Sequence, residues 1–253
     1  RSWRARCNLL RYSFSSAICA TQIHLQRICI DVLSGHQSFA KYLLALDTGA
    51  IIISIDTLSK EEALRELPQH LWARVRYIQY DVSKLTIQEL IRIIVHKCKL
   101  DPKDVYAIHF SMDCRTYSTA DCGKTGYRLM DGKPNLHADP KHYALACLHD
   151  AILCTVMATL IAFTELYRTV LITCENPVGA WQLQPCIQAA ASRTHWRMIE
   201  VNYCKCADPK WDGDRVFTKK PTKILTHGAP QKSQHIDELL CNNDCPFRFS
   251  DQS

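Results

Sequence analysis

Ile28-Cys-Ile-Asp-Val-Leu-Ser-Gly-His-Gln-Ser-Phe39 is the stretch that decides the fold. It opens with a β-branched apolar run, Ile28–Leu33, reaches Gly35, and passes into a helical pattern from Gln37 to Leu46. A strand that meets a glycine and turns into a helix opens a βα unit, and without a Cβ the backbone there can come close to a ligand. No GxGxxG accompanies Gly35, so on its own the segment reads as an ordinary βα turn.

The segments that follow repeat the alternation. Ala50–Ile55 is a second apolar run and ends at Asp56. Ser59 can cap a helix running to His70, with Glu61 and Glu62 in the first turn, where acidic side chains are favoured. Val75–Tyr80 is a third strand, ending at Asp81. Thr86–Lys99 carries Ile87, Leu90, Ile91, Ile94 and Val95 at helical spacing. Val105–Phe110 is a fourth strand. A polar loop then leads to a helix from about Asp139 to Tyr167. Val170–Cys174, Met198–Tyr203 and Thr222–Leu225 are the remaining strands. Strands alternating with helices predict an α/β fold, a doubly wound, mostly parallel sheet with helices on both faces. Ligands of such sheets bind beyond the C-terminal ends of the strands.

With 253 residues, 47% of them hydrophobic and 22% charged, the chain is not of disordered, collagen-like or coiled-coil composition. Its net charge of +6 is unevenly placed. Residues 1–30 hold five Arg and no acid, which leaves 26 basic against 25 acidic residues over 31–253. Residues 1–27 therefore read as a basic N-terminal arm or as the remnant of an organellar, for instance mitochondrial, transit peptide. Residues 28–253 read as one domain with a Cys-rich C-terminal segment, 204–246. Fourteen Cys, several inside apolar runs, suit a reducing intracellular compartment, whether nucleus, cytoplasm or organelle. The most apolar stretch, Ala144–Thr164, is free of charge only over the 14 residues from Ala151. A membrane span needs about 18, so a helix buried inside the domain is expected, with no membrane partner.

The unusual residues stand at the strand ends. Asp56 can accept from both hydroxyls of a ribose and Asp81 from an adenine amine. Cys114, in Ser111-Met-Asp-Cys-Arg-Thr-Tyr-Ser118, has Arg115 beside it to favour a thiolate nucleophile. Glu175, in Cys174-Glu-Asn-Pro-Val-Gly179, emerges from a buried strand ahead of a stiff Asn-Pro turn and is a candidate acid. Cys204, Cys206, Cys241 and Cys245 could hold a structural Zn²⁺, although their spacing matches no standard ribbon or finger. His227 and His235 lie between the two Cys pairs and read as surface residues.

This order of motifs resembles the S-adenosylmethionine-dependent cytosine-5 DNA methyltransferases, most of all their short, phage-type members. Ser111–Ser118 is similar to the family's Ser-Pro-Pro-Cys-x-x-(Phe/Tyr)-Ser loop, and Glu175-Asn176-Pro177 to its Glu-Asn-(Val/Pro) motif. Val201–Cys204 followed by Lys219-Lys-Pro-Thr222 resembles its (Asp/Asn)-Tyr-Cys … Lys-Pro-Thr segment. The resemblance covers about residues 28–246 and implies a class I methyltransferase (Rossmann-like) fold. It implies S-adenosylmethionine contacts at Ser34, Gly35, Asp56, Asp81 and Ser111. It makes Cys114 the nucleophile toward C6 of a cytosine and Glu175 the partner of N3. Arg115, Ser118, Asn176, Pro177 and Lys220 would face the substrate, DNA or less readily RNA, whose target base must be extruded or already single-stranded.

Several positions depart from the family pattern. His36 or Gln37 stands where a second loop glycine belongs, Asp113 replaces the Pro before the nucleophile, and no Gln-x-Arg-x-Arg segment follows. These favour the alternative, a catalytically inactive methyltransferase-fold protein that serves as a binding module in a larger protein or nucleoprotein assembly and docks through its basic arm. A nucleotide-binding oxidoreductase also fits Gly35 and Asp56 but leaves Glu175-Asn-Pro without a role.

Overall fold

The computed structural model describes residues 27–35, 37–46, 49–118, 122, 126–202 and 221–228. The basic arm up to residue 26, His36, Lys220 and the four late cysteines lie outside the described residues. Seven strands form one sheet in the order β3-β2-β1-β4-β5-β7-β6. They are β1 (Arg27–Val32), β2 (Ala50–Asp56), β3 (Val75–Gln79), β4 (Val105–Ser111), β5 (Leu171–Pro177), β6 (Trp196–Asn202) and β7 (Pro221–His227). Neighbours pair in parallel except β7, which runs antiparallel between β5 and β6. This is the doubly wound α/β arrangement of class I methyltransferases, as the sequence led us to expect. From β1 the chain winds outward through β2 and β3, then returns to place β4 and β5 on the other side. The switch point, where ligands of such sheets bind, therefore lies between β1 and β4.

Alternation along each strand separates two cores. Ile28, Ile30 and Val32 of β1 join Ile53, Ile55, Ile108 and Phe110 in the larger one. It is closed by α3 (Ile87–Arg92, continued by a π turn over Ile93–Lys97) and by α4 (Pro140–Leu166). Cys29, Ile52 and Ala107 face the other way, against Phe39, Ala40, Leu43 and Leu44 of α1 (Ser38–Leu46). Asp139 caps α4 by accepting from the Lys141 N–H, and Pro140 occupies the first turn, where its missing donor costs nothing. Among the described residues α4 is the one helix long and apolar enough to cross a membrane. Here Leu153, Val156, Met157, Leu160 and Phe163 are buried in the larger core, at about 1.5–3 kcal/mol each.

Three expectations change. The helix after Ser59 is only α2 (Lys60–Leu64), and a separate 3-10 helix covers Gln69–Arg74, because Pro68 removes a backbone donor between them. Strand β5 does not stop at Cys174: pairing with β7 carries it through Glu175, Asn176 and Pro177. His227 is not a surface residue. It is 6% exposed at the end of β7, with Nδ1 3.0 Å from the Val170 carbonyl.

Candidate active site

The α1 face of the sheet turns polar toward the strand ends. Ser54, Asp31, His109, Thr173 and Thr226 stand opposite one another in successive strand registers, and all five are buried. His109 Nδ1 meets Thr173 Oγ1 at 3.0 Å, and Phe39 stacks on the His109 ring at 4.6 Å. Asp31 is 2% exposed and its Oδ2 has no hydrogen-bond partner. Burial first, then the Asp56 and Glu175 carboxylates, hold its pKa well above the ordinary value. A buried carboxyl flanked by two more carboxylates is an environment that a cation would stabilise.

The turn after β1 is held by its neighbours. The Gly35 N–H donates to Asp56 Oδ2 at 2.8 Å, and Asp56 Oδ1 accepts from the Leu58 N–H at 3.1 Å. Gly35 has φ +50, and open space lies where its Cβ would be. Gln37 also lies in the left-handed region, at φ 61. Its side chain is fully buried, donating to Ser34 Oγ at 2.9 Å and accepting from Ser54 Oγ at 2.6 Å. This side chain thus packs into the fold as a strut between the turn after β1 and β2. Asp81 caps a short 3-10 turn, Val82–Lys84, accepting from Ser83 at 2.6 Å and pairing with Lys84 at 3.0 Å, with half of its side chain exposed.

At the next strand ends Ser111 and Glu175 are register partners, and Ser111 Oγ donates to Glu175 Oε1 at 3.0 Å. Asn176 Nδ2 donates to the Met112 carbonyl at 3.0 Å and ties the Cys114 loop to β5, while its Oδ1 has no partner. Pro177 ends β5 opposite Thr222. Cys114, half-buried, opens a 3-10 turn capped by Asp113. Arg115 pairs with Asp113 at 2.6 Å. Burial pushes the Asp113 carboxyl up, but the Arg115 side-chain and backbone hydrogen bonds outweigh it, so its pKa ends below the ordinary value. The Ser118 N–H donates to the Cys114 carbonyl, and Ser118 bridges to Gly179, which closes the loop over β5.

One buried cation braces this loop. Arg128 donates to the Thr116 carbonyl at 2.6 Å, to Gly132 O at 3.0 Å, to Ala146 O at 3.1 Å, and to both carboxylate oxygens of Asp150. All five of its N–H donors are used. Its guanidinium also lies 4.2 Å from the Tyr117 ring centroid. His149 Nδ1 meets Thr116 Oγ1 at 2.8 Å, and Tyr117 OH donates to Asp150 at 2.9 Å.

The structure therefore brings Asp31, Gly35, Asp56, Ser111, Asn176 and Glu175 to the C-terminal ends of adjacent strands, with Cys114 three residues beyond Ser111. Arg115 and Asp81 are engaged locally. Among the described residues no cluster of His, Cys, Asp and Glu could hold a metal. The sequence reading passed over two residues. Asp31 was signalled by an acid inside an apolar strand, whereas Arg128 had no sequence signal.

No protein-family model matches the chain. No curated protein sequence matches it. Among solved structures it is similar to an antibiotic-related methyltransferase, at 14% identity over 82% of this chain and 89% of that one, TM-score 0.42. It is similar to the Dnmt2 methyltransferase of S. pombe, at 11% identity, TM-score 0.46, over 79% of this chain and 49% of that one, about half its length. It is also similar to the delta-N METTL16 MTase domain, at 9% identity over 87% and 81%, TM-score 0.48. These likenesses are of fold alone. The sheet order and registers define the class independently: a chain with the class I methyltransferase fold.

Proposed function

We propose that this protein is an S-adenosylmethionine-dependent methyltransferase that methylates C5 of a cytosine in nucleic acid, DNA before RNA, through a covalent adduct at Cys114. The observation that carries the reading is Asp31, a buried carboxyl with one unpartnered oxygen at the switch point of the sheet, beside Asp56 and Glu175. S-adenosylmethionine is cationic at its sulfonium and its ammonium, which fits that demand. Asp31 would hold the ammonium, Gly35 leaves room for the ligand, and Asp56 has one lone pair left for a ribose hydroxyl. When bound, S-adenosylmethionine supplies a methyl group made electrophilic by the sulfonium.

The chain's own residues supply the rest. The Cys114 thiolate adds to C6 of the cytosine, and the ring's π electrons shift toward N3 and C5. Glu175, steadied by Ser111, gives its carboxyl proton to N3 and accepts from the exocyclic amine as that charge develops. C5, once it carries the methyl group, loses its proton to solvent, which expels the Cys114 thiolate and restores the ring. The test is trapping with an oligonucleotide that carries 5-fluorocytosine, whose C–F bond blocks this last step. A covalent adduct that forms with S-adenosylmethionine and disappears in Cys114→Ser is expected. Saturable S-adenosylmethionine binding without any adduct would exclude cytosine C5 as the acceptor. No saturable heat in a cofactor titration would exclude the methyltransferase reading and leave the non-catalytic module.

A further inference from the structure

At the opposite end of the sheet lies a cavity of about 760 Å³. It is lined by the C-terminal end of α4 with Arg168, by the turn 193–195, by the start of β6 and by the end of β7. Its volume lies in the range of small-ligand sites, about 300–1,000 Å³. Among the described residues three Arg (168, 193 and 197) line it against one acid, Glu165, which Arg193 Nη1 meets at 2.7 Å. Arg197 has a partner of its own, so Arg168 and Arg193 against Glu165 leave a formal excess of one positive charge. The carbonyl end of α4 opposes this with only about half a charge, so the cavity stays electropositive. Its floor is aromatic. The His227 and Trp196 ring centroids are 5.3 Å apart, and His195 stands edge-on to His227 at 6.5 Å. Burial holds the His227 ring below its ordinary pKa, against the hydrogen bond to the Val170 carbonyl.

His195 has φ 69, in the left-handed region where a side chain other than glycine is uncommon. Strain of this kind persists where the surroundings enforce it, and it clusters at ligand sites. Here it turns the chain sharply into β6 and sets the histidine on the cavity wall. The cavity is separate from the candidate active site. His227 pairs with Ile172, three residues before Glu175 on β5, or about 10 Å of strand.

We propose that this cavity binds a phosphorylated nucleoside, with the phosphates held by Arg168 and Arg193 and the base against the exposed His195 ring, which the buried Trp196 and His227 rings back. The two sources of such a group are a free nucleotide and the 5′-phosphorylated end of a nucleic acid. Guanidinium recognition of phosphate and stacking on aromatic faces are its two requirements, and the cavity supplies both.

The test titrates the full chain with methylanthraniloyl-ADP, followed by fluorescence anisotropy. Saturable one-to-one binding is expected, weakened at least tenfold by Arg168→Glu and by Arg193→Glu. Arg92→Glu on α3 changes the net charge equally, away from the cavity, and should shift affinity less than twofold. Competition by ADP at the lower concentration identifies the free nucleotide, and by a 5′-phosphorylated oligonucleotide the nucleic-acid end; adenosine should compete with neither potency. The proposal is overturned if no saturation is reached, if S-adenosylhomocysteine displaces the probe, or if both cavity variants, folded by circular dichroism, bind as the unmodified chain does. None of these readouts requires methyltransferase activity.

Discussion

The buried guanidinium of Arg128 grips both carboxylate oxygens of Asp150, at 2.7 Å from Nη2 to Oδ1 and 3.0 Å from Nη1 to Oδ2. Through the same group the carbonyl of Thr116, two residues past Cys114, is fastened to α4. Breaking a fully buried ion pair on one side costs about 3–5 kcal/mol, and Asp150, 25% exposed, brings the cost to the lower end of that range. Arg128→Ala is therefore expected to lower stability by about that amount in urea denaturation. Arg128→Lys keeps the charge but not the planar fork of five donors, and should still lose about half of it. Under conditions where the Lys variant is fully folded, Cys114 should form its adduct at least tenfold more slowly while cofactor affinity holds. Equal adduct rates would leave Arg128 a purely structural brace.

Asp31 gives the fold a pH dependence of defined sign. Burial and its two carboxylate neighbours raise its pKa, so the folded chain keeps a proton that the unfolded chain gives up near the ordinary carboxylate value of about 4. Stability from this residue is complete below that value and is lost as pH rises toward the raised folded pKa, by up to about 1.4 kcal/mol per pH unit. Asp31→Asn should flatten that decline in a series of thermal melts. A cationic ligand favours the ionised form, so S-adenosylmethionine binding should release a proton, seen as a buffer-dependent heat that the Asn variant lacks.

These two residues mark how far the sequence could be read. Periodicity located the elements, and the cap expected at Ser59 is there; Thr86 and Asp139 also cap their helices. Strand-end position singled out Asp56 and Glu175, which the sheet sets at the ends of β2 and β5, whereas Ser111 entered only through the resemblance. Asp31 was hidden in plain view, because an acid within an apolar strand reveals its environment only once the strands on either side are known. Arg128 was illegible, since it sits in an irregular polar loop and its partners are 4 to 22 residues away in three segments. The same tertiary override extended β5 through Asn176 and Pro177: the turn expected there gives way to the pairing with β7.

Gln37 separates two effects that a single substitution would blend. Its backbone, at φ 61, costs an L-residue about 1–2 kcal/mol relative to glycine. Its side chain, bonded to Ser34 and Ser54, offsets part of that. Gln37→Ala removes the bonds and keeps the strain, whereas Gln37→Gly removes both. The Gly variant should therefore be the more stable of the two, by about 1 kcal/mol, in parallel denaturation curves. A glycine variant no more stable than the alanine one would mean that the turn opens when the strut is cut.

Ser111 and Glu175 define the last expectation. The Ser111 hydroxyl donates to Glu175 Oε1 at 3.0 Å across paired strands, in a site where Asn176 also ties the strand end to Met112. An intramolecular hydrogen bond of this kind contributes about 0.5–1.5 kcal/mol, which is about a twofold to tenfold change in rate if it is needed at the moment of addition. Ser111→Ala removes one of the contacts that orient Glu175 toward the cytosine N3, so the adduct rate should fall several-fold with little change in oligonucleotide affinity. Ser111→Thr keeps the hydroxyl, suits a strand, and should recover most of the loss. If alanine and threonine variants form adduct alike, the Ser111 hydroxyl has no part in positioning Glu175.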